Sequence, residues 1–178
     1  MKRTGWQRTW IRIVSTLLTA AMMIMIFCLS MENAAQSDQR SGIIAETLVR
    51  IIHPDYEQMD PVLQQRTFDV TQLAVRKCAH FTEYTLLGFL IRICLECWFG
   101  SRRRRKHILS LSGFATGTAY ACTDEVHQLA IDGRSGTWTD VMLDACGVLA
   151  GVAAADLLIR YANNEMKETN RGDDNGLF

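Results

Sequence analysis

Three apolar runs, each with ionisable residues at one end, constrain this 178-residue chain more than any other feature. Lys77, His80, Glu83 and Tyr84 open one run. Asp124, Glu125 and Gln128 close the next, and Asp140 and Asp144 open the last. An isolated Asp or Lys at mid-membrane costs roughly 2.5 to 3.5 kcal/mol on insertion scales, so such residues just inside a span need partners. If the runs alternate in direction across a bilayer, their polar ends meet on one side and supply partners to one another.

Averages conceal this pattern. The mean hydropathy of +0.02 blends strongly apolar blocks with strongly polar connectors, so windows rather than totals carry the information. A formal charge of zero and a pI near 6.9 argue against a nucleic-acid binder, which would show a basic excess. The six cysteines lie in or beside apolar runs, where they read as small packing residues. Cys94 and Cys97 have redox-motif spacing without the βαβ context that would support it.

In chain order, a basic start (Lys2, Arg3, Arg8, Arg12) precedes an uncharged run from Ile13 to Met31. At 1.5 Å per residue that run nearly covers a hydrocarbon core of about 30 Å. It is longer than a signal-peptide core of roughly 7 to 15 residues, and the following SMENAAQ lacks a small-x-small cleavage site. Next, Ile43, Ile44, Leu48, Ile51 and Ile52 recur at helical spacing, predicting an amphipathic helix on the surface of the membrane or bundle. Pro54 and Pro61 interrupt the chain, and a helix from Pro61 is expected to run toward the second span, Cys78 to Phe99. The third span, His107 to Thr123, is short and rich in Ser, Thr and Gly. Gly113, Gly117, Tyr120 and Asp124 nonetheless share one helical face. In the fourth, Val141 to Ile159, Gly147, Gly151 and Ala155 repeat the pattern, which predicts close packing of these last two helices on each other. Residues 163–178 are polar and aperiodic and are expected to be a disordered cytoplasmic tail after a single domain over 1–162.

The expected fold is therefore an all-α integral membrane protein with four transmembrane helices and an amphipathic helical outer loop between the first two. With both termini inside, twelve Lys and Arg face the cytoplasm, five of them in the run Arg102 to Lys106, against six outside on longer connectors. That orientation places Lys77, His80, Glu83, Tyr84, Asp124, Glu125, Gln128, Arg134, Asp140 and Asp144 together at the outer interface.

Two readings of this cluster stand side by side. A salt-bridge lock would fix how the helices meet. A ligand site would explain why there are more carboxylates than a lock requires. His80-x-x-Glu83 reverses the Glu-x-x-His order of di-iron bundles and no His-Glu-x-x-His occurs, so no metal is assigned and no cofactor is indicated. The chain carries no nucleophile elbow, P-loop or dinucleotide fingerprint. Arg134, in a loop with two glycines, has the forked geometry that matches phosphate. Either Thr139 or Asp140 is a candidate N-cap for the last helix.

The ordered motifs Arg76-Lys77-x-x-His80-Phe81-x-Glu83-Tyr84, Asp124-Glu125-x-His127-Gln128, and Gly133-Arg134-Ser135-Gly136 with Asp140, Asp144 and Gly147 resemble the signature of the VanZ-like membrane proteins. One departure is Asp132, where a proline usually precedes the Gly-Arg pair. The resemblance implies a small four-helix protein of the bacterial inner (cytoplasmic) membrane. It also implies kinship with an accessory factor that lowers susceptibility to teicoplanin, a glycopeptide. The expected partner is a membrane lipid or lipid-linked envelope ligand, bound or chemically altered, or else a protein held by a non-catalytic membrane component.

Overall fold

The structure, a computed structural model, describes residues 5–100, 106–131, 133 and 136–175, with backbone alone for 166–175. Arg102 to Arg105 of the basic run, together with Asp132, Arg134 and Ser135 of the last loop, lie outside the described residues. Five α-helices make up the described chain: α1 (Gly5–Ser30), α2 (Ala34–Ile52), α3 (Pro61–Phe99), α4 (Lys106–Gln128) and α5 (Trp138–Asn175). A short 3-10 turn, Tyr56–Gln58, joins α2 to α3, and no strand occurs among the described residues.

Local chemistry sets the helix starts. Asn33 caps α2 through a capping box, its side chain accepting from Gln36 N (2.9 Å) while the Gln36 side chain accepts from Asn33 N (3.2 Å). Asp60 caps α3 by accepting from Val62 N (2.9 Å), and Pro61 occupies the first turn, where its missing N–H leaves no bond unmade. The helix starting at Pro61 does run unbroken into the apolar span, for 39 residues, a length of about 58 Å.

Among the described residues, three helices are long and apolar enough to cross a membrane: α1, α3 and α5. The expected third span lies in α4, which is 23 residues long but diluted by Ser, Thr, Gly and polar residues, so composition alone does not mark it as a span. α5 continues through the polar segment to Asn175, so residues 163–175, read from composition as an irregular tail, have a helical backbone.

The shared core joins Met22 and Ile26 of α1, Tyr84, Leu87 and Ile91 of α3, Ala121 of α4, and Val148 and Val152 of α5. Paired residues reveal the helix directions. His80 faces Asp144 and Arg92 faces Asp156, an advance of twelve residues on both helices, so α3 and α5 run parallel. Ser110 reaches Arg92 while Asp124 reaches Tyr84, so α4 runs against α3. α1 runs against α3 as well. Its Arg12 donates to Cys97 O (3.0 Å) and stacks over Trp98, while Ser30 meets Asp124 at the other end.

The glycine ridges work differently from expectation. A Cβ on Gly117 of α4 would lie 2.6 Å from Val148, so α4 does present its glycine face to α5. Gly147 and Gly151, however, face α3 rather than α4. Added Cβ atoms there would lie 2.7 Å from Phe81 O and 1.9 Å from Thr85 O, and one on Gly88 of α3 would lie 2.4 Å from Val148 O. The closest backbone crossing is therefore α3 on α5, the contact that small residues permit where lipid offers no hydrophobic drive.

α2 lies on the surface of the bundle with two distinct faces. It buries its small face, Ser41, Ala45 and Val49, and turns Ile43, Ile51 and Ile52 outward. It lies along the N-terminal half of α3, held by Gln72 to Asp38 O (2.8 Å) and by the ion pair Arg76–Asp38 (2.9 Å).

Candidate functional site

The mouth formed by α1, α3, α4 and α5 gathers most of the expected polar residues. Asp124 is buried, and its Oδ2 receives Ser30 Oγ (2.8 Å), Tyr84 OH (3.1 Å) and Gln128 Nε2 (3.3 Å). Gln128 also donates to Ser30 Oγ (3.2 Å), so three helices close around a single carboxylate oxygen. Its Oδ1 is buried and accepts nothing from a described residue.

Glu125, one residue on, points to the other side of α4 and accepts from Thr137 N (3.1 Å), which ties the last loop to the bundle. Thr137 is the residue that caps α5, rather than Thr139 or Asp140. Its hydroxyl accepts from Asp140 N (3.3 Å) and donates to the Asp140 carboxylate (2.8 Å). Asp140, in the first turn of the helix, is left to pair with Lys77 Nζ (2.6 Å). Gly133 in this loop has φ +73°, a left-handed conformation that suits glycine.

Asp144 differs from the others. It is fully buried, neither carboxylate oxygen accepts a hydrogen bond from a described residue, and His80 Nδ1 stands 3.8 Å from Oδ1. Helical spacing explains the alignment, because Asp140 and Asp144 lie on one face of α5 opposite Lys77 and His80 on one face of α3.

Cavities adjoin these residues. One of about 290 Å³ is lined by Arg76, Lys77, His80, Glu125, Gln128 and Asp140. A smaller one of about 90 Å³ lies on the far side of His80 and contains Glu83, Ser30 and Arg40 in its walls. Glu83 thus belongs to the neighbourhood but to a separate chamber. A third, of about 200 Å³, is an apolar groove between α4 and α5 lined by Cys122, Val126, Leu129, Trp138 and Val141, with Glu125 again in its wall.

Of the ten expected residues, nine surround this mouth, and Arg134 lies outside the described residues. Sequence alone does not single out Ser30, Thr137 or α2, whose Ser37, Arg40 and Ser41 border the smaller cavity. Ser30 ends an apolar run and offers no charge to notice, and α2 packs through a face of small residues. No group of three or more His, Cys, Asp or Glu has metal-binding geometry among the described residues.

An all-helical bundle in which three helices are long and apolar enough to cross a membrane, with buried carboxylates gathered at one mouth, has the architecture of a membrane protein. The profile of the VanZ/LLP1 family matches residues 15–159, and the chain belongs to that family. No curated protein and no solved structure matches it.

Proposed function

We propose that the chain spans the bacterial inner membrane four times with both termini cytoplasmic, and that its outer mouth binds or alters a lipid-linked or headgroup ligand. α4 is the fourth span in this reading. It supplies Asp124, Glu125 and Gln128, and its glycine face packs on α5 as membrane helices do.

Asp144 carries the argument for a site over a lock. A lock pairs its charges, since a buried polar group without a hydrogen bond costs free energy. Asp144 sits fully buried with both oxygens unmatched. The ligand is amphiphilic because Glu125 divides a polar chamber from an apolar groove, which matches a headgroup attached to a chain. By the resemblance to its family, occupancy of this mouth lowers susceptibility to teicoplanin-type glycopeptides.

The test uses Asp144→Asn, Asp124→Asn and Glu83→Gln separately at matched membrane abundance, with teicoplanin susceptibility as the readout. Loss of the effect in the Asp144 and Asp124 variants is expected. An undiminished effect at equal abundance overturns the reading, and a loss of folded protein with activity per molecule spared supports a lock.

The His80–Asp144 pair favours a second reading, hydrolysis or transfer on a phosphorylated lipid. His80 Nδ1 stands 3.8 Å from Asp144 Oδ1, so closing this gap by about 1 Å on ligand binding would let the carboxylate orient the imidazole as a general base, and His80 lines both polar chambers. Purified protein incubated with phosphorylated lipids, with and without divalent metal, then yields a product that disappears in His80→Gln. No turnover under either condition rejects it.

A further inference from the structure

We propose that the opposite end of the bundle holds a second site, which binds a phosphate group. Twelve residues along α3 from His80 lies Arg92, whose side chain is entirely buried. Its Nε donates to Asp156 Oδ1 of α5 (2.8 Å) and to Ser110 Oγ of α4 (3.3 Å), and its Nη1 donates to Glu96 (3.0 Å). Ser110 in turn donates to Asp156 Oδ2 (2.6 Å), so both oxygens of that carboxylate are engaged.

Beside this network lies a cavity of about 390 Å³ whose walls include Lys106, His107, Ser110, Asp156, Arg160 and Asn163. Its charge balance decides the ligand. Asp156 is the one acid among the lining residues and shares the Arg92 guanidinium with Glu96, so that buried network carries one surplus negative charge against the two cations Lys106 and Arg160. Lys106 and Arg160 have no ion-pair partner among the described residues, and the imidazole of His107 and the amide of Asn163 add donors. Two unmatched cations with flanking donors around a chamber of this size suit a phosphate, whose oxygens accept several charge-assisted bonds.

The phosphate arrives either as a lipid headgroup or as a free anion. The level of the cavity favours the lipid. It opens beside the first turn of α4, at the end of the bundle where Arg12 reaches Cys97 and stacks on Trp98, about 26 Å along α3 from the His80 layer. That end meets headgroups in any chain that crosses a bilayer.

Calorimetric titration of the full-length protein in neutral detergent tests this, with short-chain phosphatidic acid, phosphatidylcholine of the same chains, and inorganic phosphate as probes. Saturable binding of phosphatidic acid, absent for phosphatidylcholine, is expected. The double variant Lys106→Gln/Arg160→Gln weakens it by about tenfold or more, as loss of charge-assisted bonds requires. Arg50→Gln, on the remote α2, leaves it unchanged. Competition by inorganic phosphate supports the proposal with the anion itself as ligand, and its failure to compete supports it with the headgroup as ligand. Equal binding of phosphatidylcholine, or undiminished binding by the folded double variant, overturns the proposal.

Discussion

Asp124 and Asp156 show how the same residue type is handled at the two mouths. At Asp124, three neutral donors share one oxygen, so an isosteric Asp124→Asn keeps an acceptor in place and is expected to fold. Asp124→Leu strands those donors, and each unsatisfied buried group costs about 1–3 kcal/mol. The leucine variant should therefore lose folded protein by fluorescence-detected size exclusion while the asparagine variant persists. At Asp156, removal to Ala leaves the buried Arg92 with Glu96 as its one remaining carboxylate, and breaking a buried pair costs roughly 3–5 kcal/mol. Arg92→Met/Asp156→Leu, which removes both charges, should restore thermal stability in detergent. Asp156 lies inside the fourth apolar run, where sequence alone gives it no partner. An acid within an apolar run was the available signal, and its partner on α3 is invisible without the helix register.

At the scale of elements, α3 and α5 depend on glycine where their backbones cross. Gly151→Ala places a Cβ 1.9 Å from a backbone oxygen, and Gly88→Ala places one 2.4 Å from another. Neither obstacle can rotate away, so both variants should separate α3 from α5 and lower the melting temperature in detergent. Gly42 of α2 is the control. Its added Cβ would meet only side-chain atoms at 3.6 and 3.7 Å, so Gly42→Ala should be neutral or stabilising by up to about 1 kcal/mol through helix propensity. The spacing of Gly147 and Gly151 announced a close approach correctly but assigned it to α4. A four-residue repeat identifies a face of one helix and says nothing about which neighbour lies against it. The same limit applies to α2, where the isoleucines predicted a surface helix without saying which face meets α3; the small residues Ser41, Ala45 and Val49 do.

At the scale of the whole molecule, in the proposed four-span topology a hydrocarbon core of about 30 Å would cover roughly the last twenty residues of α3. Its first part, from Pro61 to near Arg76, then stands about 24 Å clear of the membrane with α2 alongside it. In cells, cysteines placed singly at Glu46 and at Asn164 of a cysteine-free variant should react with an impermeant maleimide from opposite sides, Glu46 from outside and Asn164 only after lysis. Labelling of both from the same side removes the outer mouth and with it the proposed site. In that topology the Arg92–Asp156 layer lies about 18 Å inward from the His80–Asp144 mouth, where polar groups need internal partners, and the cavity at Lys106 and Arg160 opens beyond it. Hydropathy windows and the positions of charges were enough to determine an all-helical membrane chain and to nominate the polar mouth, because burial in lipid imposes composition residue by residue. Which helix each glycine touches, why Asp124 has three donors on one oxygen while Asp144 has none, and that a second polar layer is stitched by Asp156 were decided by the tertiary structure. Those properties depend on the rotation and register of one helix against another, and distance along the chain carries no record of either.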